Sequence, residues 1–352
     1  MKTEERNKII LPSAIQLPRD QYAHTSAPTE WWWHIGTLVD VKTGQKFGFE
    51  INTATFYGAA FNQICLSDVK NSKHYQSFEI LDSCPAGWAE YDTTKDWFVK
   101  LDATPTNPLN SSCVSMTAPK SDPTNMNVVA SFTETSGKSI EFDLQLNQQG
   151  NELLVWGTGI HNVYPSSKFH PKPIQQNNYY YSLTNLKASG TITVDGVVHT
   201  VEGKTWMDHE YGAFPPSTKW LLADIQLDNG VSISNVAVNK ITPTSGVPIV
   251  SKASILLENG ESVYIPTKLT PSKPKTFGDY TFFMEMEISI DSPEHGIVAD
   301  FTVKPLMENQ IFSNPVSADI YEGVGSLTGT YNNTTAEGTV WIEQSLNKNS
   351  TK

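Results

Sequence analysis

Two short segments crowd ionisable groups among large aromatic rings: Pro28–Gly36 (PTEWWWHIG) and Thr205–Gly212 (TWMDHEYG). On a β-strand, successive side chains alternate between faces. In the first segment Glu30, Trp32 and His34 share one face, with Trp31, Trp33 and Ile35 on the other. In the second, Trp206, Asp208 and Glu210 stand opposite Met207, His209 and Tyr211. Each segment therefore places its carboxylates on one side with a tryptophan. If that side lines a barrel, burial disfavours the charged carboxylate and raises its pKa. A carboxyl group kept neutral near pH 7 can donate a proton. The competing reading is structural. A buried Glu–His or Asp–His pair between strands is a common polar strut, and tryptophan clusters more often form core. Spacing alone favours the strut.

Other chemistries find less support. His34, His209, Asp208 and Glu210 are metal-donor types, but no HxH or HExxH pattern joins them, and no metal is expected. There is no GxSxG, GxGxxG or P-loop, so no organic cofactor is implied. His161 and His170 sit in a proline-rich stretch (HNVYPSSKFHPKP) and read as solvated. In Asn177–Tyr181 (NNYYY), Tyr179 and Tyr181 share a face with Tyr180 opposite. They suit a barrel wall offering rings and hydroxyls, or an ordinary cross-strand ladder.

The elements that must position these groups are strands almost throughout. Runs such as Lys46–Thr55, Ile140–Leu146, Leu153–Gly159, Gly190–Val194 and Thr218–Leu227 alternate with turn signals, among them the hairpin pairs Asp195-Gly196 and Asn259-Gly260. Lys268–Phe277, with Pro271 and Pro274, reads as a loop, and the first twenty or so residues read as a surface wrap. No amphipathic helix of three turns is evident. The 352 residues suffice for two all-β units, antiparallel barrels or sandwiches. Pro215-Pro216 marks a boundary, giving units 1–214 and 215–352.

With 25 basic and 37 acidic residues the net charge is −12, and no basic cluster occurs. That argues against nucleic acid and anionic membrane surfaces as partners. No run approaches the length of a membrane helix. Met1–Gln16 lacks the apolar core of a secretory signal, so a cytoplasmic location is expected. Cys65, Cys84 and Cys113 form no framework or zinc pattern.

The two motifs, Pro28, Glu30, Trp31, Trp32, Trp33, Gly36 and Trp206, Asp208, His209, Glu210, Tyr211, Gly212, resemble those of the carotenoid hydratase / AttH-like family. The following Trp220–Leu227 strand with Asp228-Asn229-Gly230, and the closing Tyr321–Glu343 stretch, extend the resemblance over residues 24–343. It implies tandem lipocalin-like β-barrel domains. Family members include hydratases that add water across an isoprenoid C=C bond, and the family is similar to lipocalin-like pericyclases. Asp208 matches the family's aspartate. Where carotenoid hydratases carry a His and a Trp upstream of it, this chain has Tyr179, Tyr180 and Tyr181.

On this resemblance the expected site has Asp208 as proton donor to an alkene. Trp32, Trp206, Tyr179 and Tyr181 would stabilise the cation through their rings. Glu30, His34, His209 and Glu210 would hold water, and Trp33 and Tyr211 would line the pocket. It is expected at the first barrel's mouth, facing the second unit, and to take a hydrophobic small molecule in a monomer or homodimer. The alternatives are a pericyclase, in which a Tyr hydroxyl or Lys204 polarises a carbonyl and proximity supplies the rate, and a non-catalytic binder of apolar ligands.

Overall fold

The computed structural model describes residues 14–103, 111–134, 136–163, 173–238, 243–314 and 318–349. Alternation in the strand-rich runs becomes two antiparallel sheets. The first contains β1 (Thr29–Asp40), β2 (Lys46–Phe56), β3 (Ala59–Asp68), β4 (Lys73–Leu81), β5 (Trp97–Ala103), β6 (Ser111–Ala118), β7 (Asn125–Thr133), β8 (Ser139–Gln148), β9 (Leu153–Leu154), β10 (Ile160–Asn162), β11 (Asn177–Val194) and β12 (Val197–Gly212). The second contains β13 (Trp220–Leu227), β14 (Ser232–Val238), β15 (Ile249–Leu256), β16 (Ser262–Phe277), β17 (Tyr280–Ser292), β18 (Ile297–Pro305), β19 (Ile311–Phe312), β20 (Ile320–Tyr331) and β21 (Thr334–Ser345).

The first sheet runs β4-β3-β2-β1-β12-β11-β8-β7-β6-β5, with β9 and β10 also on β11. The second runs β18-β17-β16-β15-β14-β13-β21-β20-β19, and β18 also pairs β20, which closes it on itself. Both are lipocalin-like barrels. Helix among the described residues is limited to short 3₁₀ turns.

The period-2 pattern decides what each barrel buries. Phe47, Phe49 and Ile51 of β2, and Phe142, Leu144 and Leu146 of β8, point into the first barrel. Leu221, Ala223 and Ile225 of β13 point into the second. A third cluster joins outward faces of the two: Ile35, Cys65 and Trp206 from the first, Phe312, Val324 and Trp341 from the second. Fully burying one such aliphatic or aromatic side chain is worth roughly 1.5–3 kcal/mol. The approach is close: a Cβ added at Gly48 would come 2.5 Å from Cγ1 of Val324. Polar ties cross the seam as well, with Gln226 Nε2 donating to the carbonyls of Thr184 (2.7 Å) and Thr205 (2.9 Å).

Four sequence expectations change. Leu153–Gly159 is a strand for only two residues, because Trp156, Gly157 and Gly159 take positive φ and the chain turns away. Gly190–Val194 is the end of the 18-residue β11, which passes through a register shift between Leu183 and Leu186. Lys268–Phe277 is not a loop but part of β16. Its prolines are tolerated because each has a partner strand on one side only: Pro266 pairs β15 before the β17 register begins, while Pro271 and Pro274 pair β17 beyond the end of β15. The N-terminal stretch does not simply wrap the surface: Asp20, Gln21, Tyr22 and Ala23 are buried.

Candidate functional site

β1 and β12 pair so that Trp32 lies opposite His209, Trp33 opposite Asp208 and Ile35 opposite Trp206. The predicted alternation is present in both strands, yet the two carboxylate faces point in opposite directions. Glu30, Trp32 and His34 share the inner face of the first barrel with Met207, His209 and Tyr211. Trp206, Asp208 and Glu210 look outward with Trp31 and Trp33, towards the second barrel. The expected single assembly of Asp208 and Glu210 with Glu30, His34 and His209 therefore does not form, since one residue along a strand is one change of face. Trp32, Tyr179, Tyr181 and Tyr211 belong to the inner side, and Trp206 and Trp33 to the seam.

The inner face is shut by the strap of residues 14–28. Trp32 Nε1 donates to the carbonyl of Gln21 at 3.2 Å. Glu30 Oε2 accepts the backbone N–H of His24 at 2.7 Å, while Glu30 Oε1 faces His24 Nδ1 at 2.8 Å and His209 Nε2 at 3.0 Å. Rings fix the histidines: His24 stacks on Tyr211 at 3.6 Å and His209 on Trp32 at 4.4 Å, with Tyr179 stacked beyond Tyr211 at 5.0 Å. Burial alone would raise the Glu30 carboxyl, but its contacts with His209 and His24 outweigh it and hold Glu30 below its usual range. Burial would lower His24, but Asp20 and Glu30 pull it up to about 9. An ionised Glu30 accepts protons and does not donate them. His34 has no hydrogen-bond partner at either ring nitrogen, and burial pushes it down to about 3. Among the described residues, His24, Glu30 and His209 are the one group whose three donor atoms lie within 4.8 Å of one another.

The outer face is different in kind. Asp208 Oδ1 accepts from Ser182 Oγ at 2.5 Å and Trp206 Nε1 at 2.7 Å, and the Tyr180 hydroxyl also reaches the carboxyl. Burial still pushes Asp208 up to about 6. Glu210 is pushed up to about 8, by burial first and by the nearby Asp208 charge, against a hydrogen bond from Asn178. The second barrel adds carboxyls of its own. Glu343 accepts from Trp220 Nε1 at 3.0 Å, Glu322 from Trp341 Nε1 at 2.9 Å, and Asp224 stands across from Ser234. Glu50 on β2 accepts from Gln63 at 2.7 Å. Asp224, Glu322, Glu343 and Glu50 all sit well above their usual range, through burial and then through one another's charge. None of the ion pairs among the described residues involves any of these six carboxyls. With no cation beside them, the proton is their counter-charge.

Sequence reasoning missed Tyr180, Ser182, Asp224, Glu322, Glu343, Trp220 and Trp341. Alternation puts Trp220, Leu222 and Asp224 opposite the core residues of β13, but such a face reads equally as solvated. Lys204 shares the outward face of β12, half-buried. His161 is exposed, and His170 lies outside the described residues. A cleft of about 390 Å³ lies on the outer side of β5–β7, lined by residues such as Trp88, Lys100, Cys113 and Val129, and includes none of the expected site residues.

A family model described as AttH-like matches residues 9–343. The chain belongs to the AttH-like family. Among solved structures, it is similar to an AttH-type protein from Nitrosomonas europaea: 19% identity, TM-score 0.66, covering 95% of this chain and 98% of that one. It is also similar to kievitone hydratase from Nectria haematococca, at 14% identity and TM-score 0.70, covering 95% of this chain and 94% of that one. CghA aligns at 11% identity and TM-score 0.53, covering 97% and 96%. Comparison with curated proteins by sequence finds no significant match. At these identities the likeness establishes the AttH-like fold over both barrels.

Proposed function

We propose that this AttH-like protein is a hydratase-type enzyme. Its substrate is a hydrophobic, alkene-bearing small molecule held between the two barrels, and Asp208 is the proton donor. The observation that carries this reading is a carboxyl group buried at the seam, ringed by Trp206, Trp33 and Tyr180, with no basic partner. Protonated Asp208 adds its proton to one alkene carbon, and the other carbon becomes cationic. The π faces nearby favour that cation by about 2 kcal/mol each when desolvated. Water attacks the cation, and the proton it sheds restores Asp208. The neighbour named as a hydratase supports the reaction class.

The seam also favours a ligand with polar substituents. Trp33 Nε1, the Asn52 amide and Glu322 Oε1 are buried without a protein hydrogen-bond partner. A prenylated or polyene ligand bearing hydroxyls or carbonyls would satisfy them. The test is turnover of a panel of prenylated phenols and polyenes in ¹⁸O-water, read by mass spectrometry. The expected result is a product heavier by one labelled water. An isomer of unchanged mass would reject hydration and select cofactor-free cyclisation. That second reading draws on the Ser182 and Trp206 hydrogen bonds, which favour an ionised Asp208.

A further inference from the structure

We propose that His24, Glu30 and His209 bind a divalent transition-metal ion of the zinc type, pinning the N-terminal strap to the barrel wall. The site lies on the opposite face of β12 from Asp208 and is independent of the reaction above.

Proton counting around His209 leads to it. The side-chain nitrogen of Gln21 lies 3.5 Å from Met126 Sδ and 3.9 Å from Met207 Sδ, so its carbonyl oxygen faces Tyr181. The Tyr181 hydroxyl donates its one hydrogen to that oxygen. Its own oxygen, 3.0 Å from His209 Nδ1, must then accept from an Nδ1–H. A neutral imidazole protonated at Nδ1 has a bare lone pair at Nε2. That lone pair points at Glu30 Oε1, also an acceptor, 3.0 Å away. His24 reaches the same oxygen from the strap. Its Nε2 faces the Asp20 carboxylate at 3.4 Å and its Nδ1 the same Glu30 oxygen at 2.8 Å. The His209 lone pair and the His24 ring converge on one carboxylate oxygen, an arrangement that a cation stabilises: a proton on His24 in the metal-free chain, or a metal ion in its place.

The chemistry of the donors fits a metal. Two imidazoles and a carboxylate are a zinc or non-haem iron ligand set. Each histidine is oriented through its far nitrogen by an acceptor, Asp20 or Tyr181, as ligating histidines characteristically are. Asp20 is itself gripped by Arg19 and by the backbone N–H of Gln16 at 2.7 Å. Tyr211 and Trp32 lock the ring planes. His24 also offers an entrance: its side chain is 12% exposed, against 0% for His209 and 2% for Glu30. A metal here would tie residue 24 of the strap to β1 and β12. The sequence motif contained Glu30 and His209, but their third partner lies six residues before Glu30, outside any ligand spacing.

The test uses the full chain stripped with chelator, titrated with Zn²⁺ or Co²⁺. One equivalent should bind with sub-micromolar affinity, Co²⁺ should show ligand-field absorption in the visible, and the thermal midpoint should rise with metal. His24→Gln and Glu30→Gln should each weaken binding at least tenfold. Asp20→Asn, which leaves the ligands in place, should weaken it ~10-fold or more. His295→Gln, an exposed histidine elsewhere, should not change it. Absence of stoichiometric uptake by the wild-type chain, or uptake undiminished in both His24→Gln and Glu30→Gln, overturns the proposal. So does a ¹⁵N spectrum of His209 showing both ring nitrogens protonated whether or not metal is added, since the cation is then a proton.

Discussion

Asp208→Asn is expected to lower turnover by ~10²–10⁴-fold, the usual contribution of a positioned general acid, with little change in ligand affinity or thermal midpoint. Asparagine keeps the shape of the side chain. Its carbonyl oxygen can still accept from Ser182 and Trp206, so the wall around it stands. What disappears is the transferable proton. The loss should fall on kcat rather than KM, because the interaction is needed only where charge develops. Steady-state kinetics on a turned-over alkene, with calorimetric binding of the same ligand, separate the two. Full turnover in the variant would remove Asp208 from the acid role and favour a proximity-driven cyclisation, which needs no proton donor.

The second large effect concerns the seam as a whole. Thermal stability should fall as the pH rises from ~6.5 to ~8.5, where most proteins are near their maximum. Glu50, Asp224, Glu322 and Glu343 are raised well above their usual values, and Glu210 to about 8. Between the ordinary carboxylate range and these raised values the unfolded chain has released the protons and the folded chain retains them. Folding then binds protons, and each pH unit costs about 1.4 kcal/mol per such group. His24, raised to about 9, adds to the fall with the same sign: its contribution is complete below the ordinary histidine range and lost above it. The depressed groups do not offset this. Asp20 and Glu30 have delivered their stability once the pH passes the usual carboxylate range, and His34 and His74 once it passes that of histidine. Glu322→Gln should flatten the decline, since the amide oxygen still accepts from Trp341 and no charge can form. Differential scanning calorimetry across this range checks it; a flat or rising midpoint in the wild-type chain would show that the seam carboxyls are ionised and paired.

Much of the fold was legible because strand alternation is a property of the chain itself. Trp32 and Trp33 fall on opposite faces whatever surrounds them, and the same rule separates His209 from Asp208. What alternation does not encode is what each face meets. The outward residues of β13 and β21, Asp224 and Glu343 among them, look like any solvated strand face until a second barrel covers them. The strap was missed for the converse reason. Arg19 and Asp20 fall in the stretch read as a surface wrap, and nothing in the sequence singles out Gln21 or His24, yet Asp20 and Gln21 are buried and His24 nearly so, because the barrel mouth supplies Glu30, His209 and Tyr181 as partners. Tyr180 was assigned to the correct face, but its link to Asp208 depends on β11 pairing β12 with Ser182 opposite Asp208. That is a register between distant segments.

The most direct test is the infrared difference spectrum of the wild-type chain against Asp208→Asn, recorded across a pH series. A band from a protonated carboxyl, present below about pH 6, absent from the variant and fading as the pH rises through that value, is the predicted result. A spectrum in which Asp208 contributes only carboxylate bands down to the ordinary aspartate range would mean that it holds no proton to give, and the proposed chemistry would fail.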